Sequence, residues 1–139
     1  MTKTFIHFLL CLSLGGFVLS GSNQPNVILM MADDLGYNDL SCYGSKRQKT
    51  PVLDKLAEEG LRLTSFYAGA TVCTPSRMAL LTGAYPPRLG WNGGVVGYGL
   101  KAHNGLAPQA RTMGEVFKGA GYKTALIGKW HLGDTPELH

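Results

Sequence analysis

Residues 25–36 read PNVILMMADDLG, an apolar run that ends abruptly in two aspartates, with a glycine two residues later. A near-continuous apolar run of this kind is typical of a strand buried on both faces of a parallel sheet, so we predict a strand over 26–32. Asp33 and Asp34 would then lie at the carboxyl end of that strand, where open α/β sheets bind their ligands. This stretch therefore indicates an α/β fold.

The acidic pair Asp33-Asp34 is a candidate metal site. Neighbouring strand residues point to opposite faces, so two adjacent carboxylates can share one ion only where the strand stops and the chain bends. Gly36 permits such a bend. Because no His or Cys lies in the same segment, the oxygen donors favour Ca²⁺ or Mg²⁺ over zinc. On spacing alone, the alternative is a simple turn or helix cap.

A second segment, CTPSR at residues 73–77, places a thiol close to a guanidinium. Pro75 favours the first helical turn, and Thr74 is the predicted N-cap. Cys73 would lie just ahead of the helix, where free amides favour negative charge. Arg77, about one turn further on, could hold an anion with its planar set of donors. The alternative is a structural cysteine ahead of an ordinary helix with a surface arginine.

The third segment, GYKTALIGKWHLG at residues 121–133, predicts a strand over 122–127 followed by a turn at Gly128. Lys129 and His131 are two residues apart and can project to the same side. A cation and an imidazole on one face suit an oxyanion, with Lys129 as a point charge and His131 as a donor or proton carrier. The alternative is a solvated lysine and a histidine packed beside Trp130.

The remaining sequence predicts supporting elements. Residues 54–60 have helical composition and end at a glycine, residues 61–67 read as a second strand, and residues 112–121 read as a helix ending at a glycine. The glycine-rich stretch 91–105 predicts an irregular loop near the site. His103 within it is a weak candidate for a pocket residue, against the simpler interpretation of a surface histidine.

Composition and the amino terminus limit the protein class. The chain of 139 residues is 45% hydrophobic and 16% charged, which is globular rather than disordered. Its net charge of +4 is mild and its basic residues are scattered, so we predict no nucleic-acid partner. Residues 1–21 are predicted to be an export signal, with Lys3 ahead of an apolar stretch over 5–19 that is too short for stable membrane insertion. An uncleaved anchor is the alternative.

Export would place the protein in the periplasm or outside the cell, or in the secretory or lysosomal route of a eukaryote. Removal of residues 1–21 would leave only Cys42 and Cys73, which is not a disulfide framework.

Four ordered segments, 25–36, 50–60, 73–77 and 121–133, resemble the type I sulfatases, and are most similar to their arylsulfatase A-like branch. The resemblance implies an alkaline-phosphatase-like α/β fold with a mostly parallel central sheet flanked by helices. That fold is several times longer, so residues 22–139 resemble the N-terminal part of the catalytic domain. We therefore expect this chain alone to fold poorly and to lack useful activity.

The resemblance also implies the chemistry, which is hydrolysis of a sulfate ester on a sulfated small molecule or carbohydrate. In this family a formylglycine-generating enzyme oxidises the cysteine of C-x-P-x-R, here Cys73, to Cα-formylglycine. One hydroxyl of the aldehyde hydrate attacks sulfur and the second expels sulfate. Arg77 and Lys129 would stabilise developing charge, and His131 would assist proton removal.

The resemblance further assigns Asp33, Asp34 and the modified Cys73 to a divalent cation, Ca²⁺ or alternatively Mg²⁺. Two other functions stay open at this point. One is a phosphatase or phosphonate hydrolase of the same superfamily, and the other is a sulfatase-like fragment without catalytic activity.

Overall fold

The computed structural model describes residues 24–97 and 105–133. The predicted export signal, His103 and the stretch 134–139 lie outside the described residues. The chain divides into two units, Met1–Met31 and Ala32–His139. Within the described ranges, no helix is both long and apolar enough to cross a membrane.

Helices are the regular structure of the second unit. The α-helices are α1 (Pro51–Glu59), α2 (Cys73–Thr82) and α3 (Met113–Gly119), and short 3-10 helices cover Tyr37–Asp39, Ser41–Tyr43 and Pro86–Leu89.

Local sequence explains where α1 begins and ends. Pro51 occupies the first turn, where its missing N–H leaves no bond unmade, and the amide of Gly60 closes the helix on the carbonyl of Leu56 at 3.0 Å. Asp54 accepts hydrogen bonds from the hydroxyls of Ser41 at 2.6 Å and Thr50 at 3.0 Å. These bonds hold the start of the helix against the preceding 3-10 turn.

Helix α3 begins with a reciprocal cap. The hydroxyl of Thr112 accepts from the amide of Glu115 at 3.3 Å, and the Glu115 carboxylate accepts from the amide of Thr112 at 2.7 Å. Gly121, with φ of 89°, lies in the left-handed region that glycine adopts without steric cost and turns the chain after the helix. The predicted helix and its glycine ending are confirmed.

Helix α2 begins earlier than the sequence predicts. Val72 is the N-cap, Cys73 is the first helical residue, and Thr74 is the second, so the prediction of Thr74 as N-cap is wrong. Pro75 still lies in the first turn, where its amide would have no partner in the helix. Gly83, with φ of 67°, ends α2 and donates its amide to Ala79.

The predicted strands over 26–32, 61–67 and 122–127 are not formed. Among residues 24–97 and 105–133 the sole β-pairing is an isolated antiparallel bridge between Gly105 and Gly133. Within the second unit, none of the described backbone hydrogen bonds joins 61–67 to 122–127. A strand is stabilised by its neighbours, so an apolar composition without a paired neighbour leaves the segment exposed: Ile28 is 82% exposed and Ile127 is 97% exposed.

The buried core lies around α2. Met78, Trp91, Leu106 and Leu132 pack together, and we call these four residues the α2 cluster. The amide of Leu106 donates to the carbonyl of Leu132 at 2.6 Å, which holds two loops side by side. A Cβ at Gly105 would overlap the Leu132 carbonyl, so this close approach requires glycine. The cluster therefore fixes α2 against the loop that carries Lys129 and His131.

Candidate active site

Asp33 is the centre of a charged cluster that joins all three sequence segments. One of its carboxylate oxygens, Oδ1, accepts from Nη2 of Arg77 at 3.1 Å, and the other, Oδ2, accepts from Nζ of Lys129 at 2.8 Å. Arg77 also donates through Nη1 to the backbone carbonyl of Lys129 at 2.7 Å. The structure thus brings together three of the predicted site residues, which lie far apart in the sequence.

The members of this cluster differ in burial. The side chain of Arg77 is 10% exposed, whereas those of Asp33 and Lys129 are 47% and 41% exposed. The Nε atom of Arg77 is buried without a hydrogen-bond partner among the described residues. Arg77 is therefore the enclosed member of the cluster, whereas Lys129 is partly exposed to solvent.

The charges reinforce one another. Hydrogen bonds from Lys129 and then from Arg77 hold the pKa of Asp33 below its ordinary value. The hydrogen bond to Asp33 raises the pKa of Lys129, and this effect outweighs desolvation, which acts in the opposite direction. Both shifts favour the ionised form, so Asp33 and Lys129 stay charged at neutral pH.

His131 enters the site through its backbone. Its φ is 58°, an uncommon left-handed value for a residue with a side chain. Its carbonyl accepts from the hydroxyl of Thr74 at 3.0 Å, and its Nδ1 is buried without a partner in the described part of the chain. Cys73, a free and partly buried cysteine, immediately precedes Thr74. Thr74 was missed as a site residue, because a threonine at a helix start signals a cap and not a long-range contact.

The candidate cation ligands are only partly assembled. Asp34 is exposed, with a left-handed φ of 54°, and both oxygens of Asp33 accept from cationic side chains. Over 24–97 and 105–133 no group of three or more His, Cys, Asp or Glu side chains comes together. Two adjacent carboxylates suit a hard cation by donor type, and Ca²⁺ takes about 6–8 oxygen ligands, so Asp33 and Asp34 would supply a minority of them.

Comparison with known proteins identifies the class. Residues 25–137 match the family described as Sulfatase, and the chain belongs to the sulfatase family. Mouse steryl-sulfatase is 57% identical over 112 residues, which cover 78% of this chain and 18% of that protein. Human arylsulfatase A is 49% identical over 119 residues, which cover 86% of this chain and 23% of that protein.

A solved structure is similar as well. The crystal structure of Ps i-CgsB matches with a TM-score of 0.76 and 40% identity, over 83% of this chain and 25% of that one. The family and this likeness assign the chain to the alkaline-phosphatase-like α/β fold. The predicted resemblance to sulfatases is confirmed, and the relatives do not favour the phosphatase alternative. The chain spans about a fifth of the length of these two relatives, at 18% and 23%.

Proposed function

We propose that this chain is the N-terminal part of the catalytic domain of a sulfate-ester hydrolase, built on a mostly parallel sheet flanked by helices. The observation that carries the proposal is the Asp33–Arg77–Lys129 cluster, in a chain of the sulfatase family, at the helix that begins with Cys73. Cationic groups held in place before substrate arrives are the arrangement that stabilises charge developing on sulfate oxygens.

Arg77 and Lys129 have different roles in this proposal. The guanidinium of Arg77 is nearly buried and is oriented by Asp33 and by the Lys129 carbonyl, so it acts as a fixed positive charge close to residue 73. Lys129 is more exposed and would contact the sulfate group directly as it enters. Asp33 holds both cations in place through its two ion pairs, and its hydrogen bond to Lys129 raises the pKa of that ammonium.

Cys73 would be converted to formylglycine by a formylglycine-generating enzyme. The hydrate of that aldehyde would supply two hydroxyls. One would attack sulfur as the bond from sulfur to the substrate's alcohol oxygen breaks and the alcohol leaves with a proton, and the other would then expel sulfate. His131 would accept the proton from the second hydroxyl as the bond between carbon and the sulfate oxygen breaks, which returns the aldehyde. Its buried Nδ1 without a described partner is compatible with a proton-carrying role.

Asp33, Asp34 and the modified residue 73 would hold a divalent cation, Ca²⁺ or Mg²⁺. A bound cation of this kind lowers the pKa of a neighbouring hydroxyl and so helps to generate the nucleophile. Asp33 is then shared between this role and its ion pairs with Arg77 and Lys129.

The substrate is a sulfated small molecule or a sulfated carbohydrate. We propose that the protein reaches it after export, directed by residues 1–21.

The decisive experiment follows residue 73. The whole protein is expressed with a formylglycine-generating enzyme, and the tryptic peptide that contains residue 73 is analysed by mass spectrometry together with turnover of a chromogenic aryl sulfate. We expect a mass loss of about 18 Da at Cys73, the difference between a thiol and an aldehyde, and labelling by a hydrazide probe. Cys73→Ala should abolish labelling and turnover, whereas Cys42→Ala should preserve both.

A quantitatively free thiol at Cys73 in active protein would contradict the proposal, as would turnover by Cys73→Ala. Metal content gives a second measurement. Asp33→Ala and Asp34→Ala should each lose the bound cation and most turnover, because each removes a ligand oxygen. Full activity without metal in either variant would show that the pair is structural.

A further inference from the structure

Thr74 makes two hydrogen bonds that no helix cap would make. Its hydroxyl donates to the backbone carbonyl of His131 at 3.0 Å, across 57 residues. The same oxygen accepts from the backbone amide of Val96 at 3.0 Å, across 22 residues. Thr74 is fully buried, with 0% exposure. Since a hydroxyl has one hydrogen to donate, its donor capacity is spent entirely on His131.

The hydrogen bond from Thr74 is made to a residue, His131, whose backbone has a left-handed conformation. The left-handed φ of 58° is uncommon for residues with a β-carbon and persists where surrounding contacts determine it. Leu132, the next residue, has 0% exposure and its carbonyl accepts from Leu106. The chain is thus fixed on one side of His131 by the α2 cluster and at its own carbonyl by Thr74.

The position of Thr74 in the chain gives these bonds a consequence for the site. Thr74 directly follows Cys73, so one side chain sets how the His131 backbone lies relative to residue 73. The same hydroxyl also ties in Val96, which belongs to the glycine-rich loop and packs against the α2 cluster. Three separate segments of the chain therefore meet at a single buried hydroxyl.

We propose that Thr74 is a positioning residue for His131: its hydroxyl holds the left-handed backbone from which the imidazole extends next to the start of α2, where Cys73 lies, and it fixes the 91–97 loop there as well. This inference rests on the proposed sulfatase function. Thr74 touches neither substrate nor cation in this scheme and acts through His131.

The test compares Thr74→Val with Thr74→Ser in the whole protein, with rates counted per formylglycine-bearing molecule. Valine keeps the shape but leaves the His131 carbonyl and the Val96 amide unpaired, and serine keeps the hydroxyl. We expect kcat of Thr74→Val to fall roughly 100-fold, the scale of an effect from slight misplacement of a reacting group, with KM little changed. Thr74→Ser should retain a kcat close to that of the protein with the original Thr74.

A double-mutant cycle with His131→Ala separates positioning from general stability. If Thr74 acts through His131, Thr74→Val should cost little further activity once the imidazole is gone. The inference would be overturned if Thr74→Val reduced activity equally with His131 present and with His131→Ala. It would also be overturned if Thr74→Val had the same kcat as the protein with the original Thr74.

Thr82 provides the matched control at the other end of α2. Its hydroxyl donates to the Met78 carbonyl at 2.6 Å and accepts from the Ala84 amide at 3.2 Å, so Thr82→Val removes the same kinds of bond away from the site. Thr82→Val should lower the melting temperature and leave kcat unchanged. If Thr74→Val does not fold, Thr74→Ala takes its place in the cycle and the same criteria apply. If the protein without any substitution carries formylglycine and is still inactive, the proposed function itself is refuted. That outcome is distinct from the outcomes named above.

Discussion

Two apolar regions of this chain differ in solvent exposure: the α2 cluster is buried, and the segments predicted as strands are exposed. The α2 cluster is buried, with Met78 at 1% and Leu132 at 0% exposure. The segments predicted as strands are equally apolar, yet Leu61 is 84% exposed and Ile127 is 97% exposed. Hydrophobicity is the same in kind on both sides, so the difference lies in the partners. The α2 cluster finds its partners within residues 78–132, whereas no described backbone bond pairs residues 61–67 with 122–127.

The difference has a consequence for the site. Arg77 is the neighbour of Met78 on α2, and Lys129 and His131 are held by the loop that contains Leu132. Arg77 and Lys129 are therefore positioned by the packing of the α2 cluster, although the described residues form no sheet.

The largest expected effect comes from replacing Arg77, the buried arginine of the Asp33–Arg77–Lys129 cluster. Arg77→Ala deletes the ion pair with Asp33 and the hydrogen bond to the Lys129 carbonyl. We expect turnover of an aryl sulfate by the whole protein to fall by roughly 10²–10³-fold, as for other preorganised donors. Arg88→Ala, at an exposed arginine on the neighbouring 3-10 helix, is the control and should have little effect. Comparable activity of the two variants would mean that the buried arginine has no special role.

A matched pair of methionines tests the contrast between the two regions directly. In this chain Met78→Ala should lower the free energy of opening of α2 by about 2–5 kcal/mol, because Met78 is 1% exposed in the core. Met30→Ala should change it by less than about 0.5 kcal/mol, because Met30 is 73% exposed. Hydrogen exchange of the α2 amides measures both.

The same pair of variants tests whether residues 26–32 become buried in a sheet in the whole protein. If the whole protein buries residues 26–32 in a sheet, Met30→Ala should there become about as costly as Met78→Ala. A Met30→Ala variant that remains neutral in the whole protein would contradict the predicted strand. Equal costs in the present chain would contradict the contrast itself.

A smaller effect concerns the ionisation of Asp33. We expect its carboxyl, followed by carbon-detected NMR, to titrate below the ordinary value of 3.8. Lys129→Met should raise this pKa more than Arg77→Ala does, because the Lys129 hydrogen bond is the larger cause. Lys55→Met, at an exposed ion pair, is the control and should leave Asp33 unchanged.

The direction of the pH effect on stability follows from that shift. A carboxyl with a lowered pKa in the folded state stabilises the fold fully above its unfolded value, and the contribution is lost as pH falls through the folded pKa. The ion pairs of Asp33 should therefore weaken only below about pH 3.8. An Asp33 that titrates above 3.8 would show that the pairs do not persist in solution.

The smallest effect tests a helix that depends on its own cap. Thr112→Ala removes the capping bonds of α3 and should lower its stability by about 1 kcal/mol, measured by hydrogen exchange of the α3 amides. It should also raise the pKa of Glu115, which hydrogen bonds from Thr112 hold below its ordinary value. Thr124→Ala, at an exposed position in a predicted strand, is the control. A cap variant that behaves like this control would mean that packing and not capping maintains α3.

Several features of the fold and the site could be predicted because their causes are local. The helices predicted over 54–60 and 112–121, each with a glycine at its end, depend on residues within a few positions of one another. The strands could not be predicted from local sequence in the same way, because a strand is stabilised by segments that are distant in sequence. Thr74 was predicted as a cap for the same reason: the residues it bonds lie 22 and 57 positions away.

By itself the sequence determined the family and the residue types of the site, because four short motifs in a fixed order carry the thiol, the acids, the cations and the imidazole. Only the tertiary structure decided how they combine. Asp33 meets Arg77 across 44 residues and Lys129 across 96, and these bonds exist because α2 packs on the Leu132 loop. Hydrogen bonds between neighbours are set by local backbone geometry, whereas contacts over such distances in the chain form only when burial of apolar side chains holds the segments together.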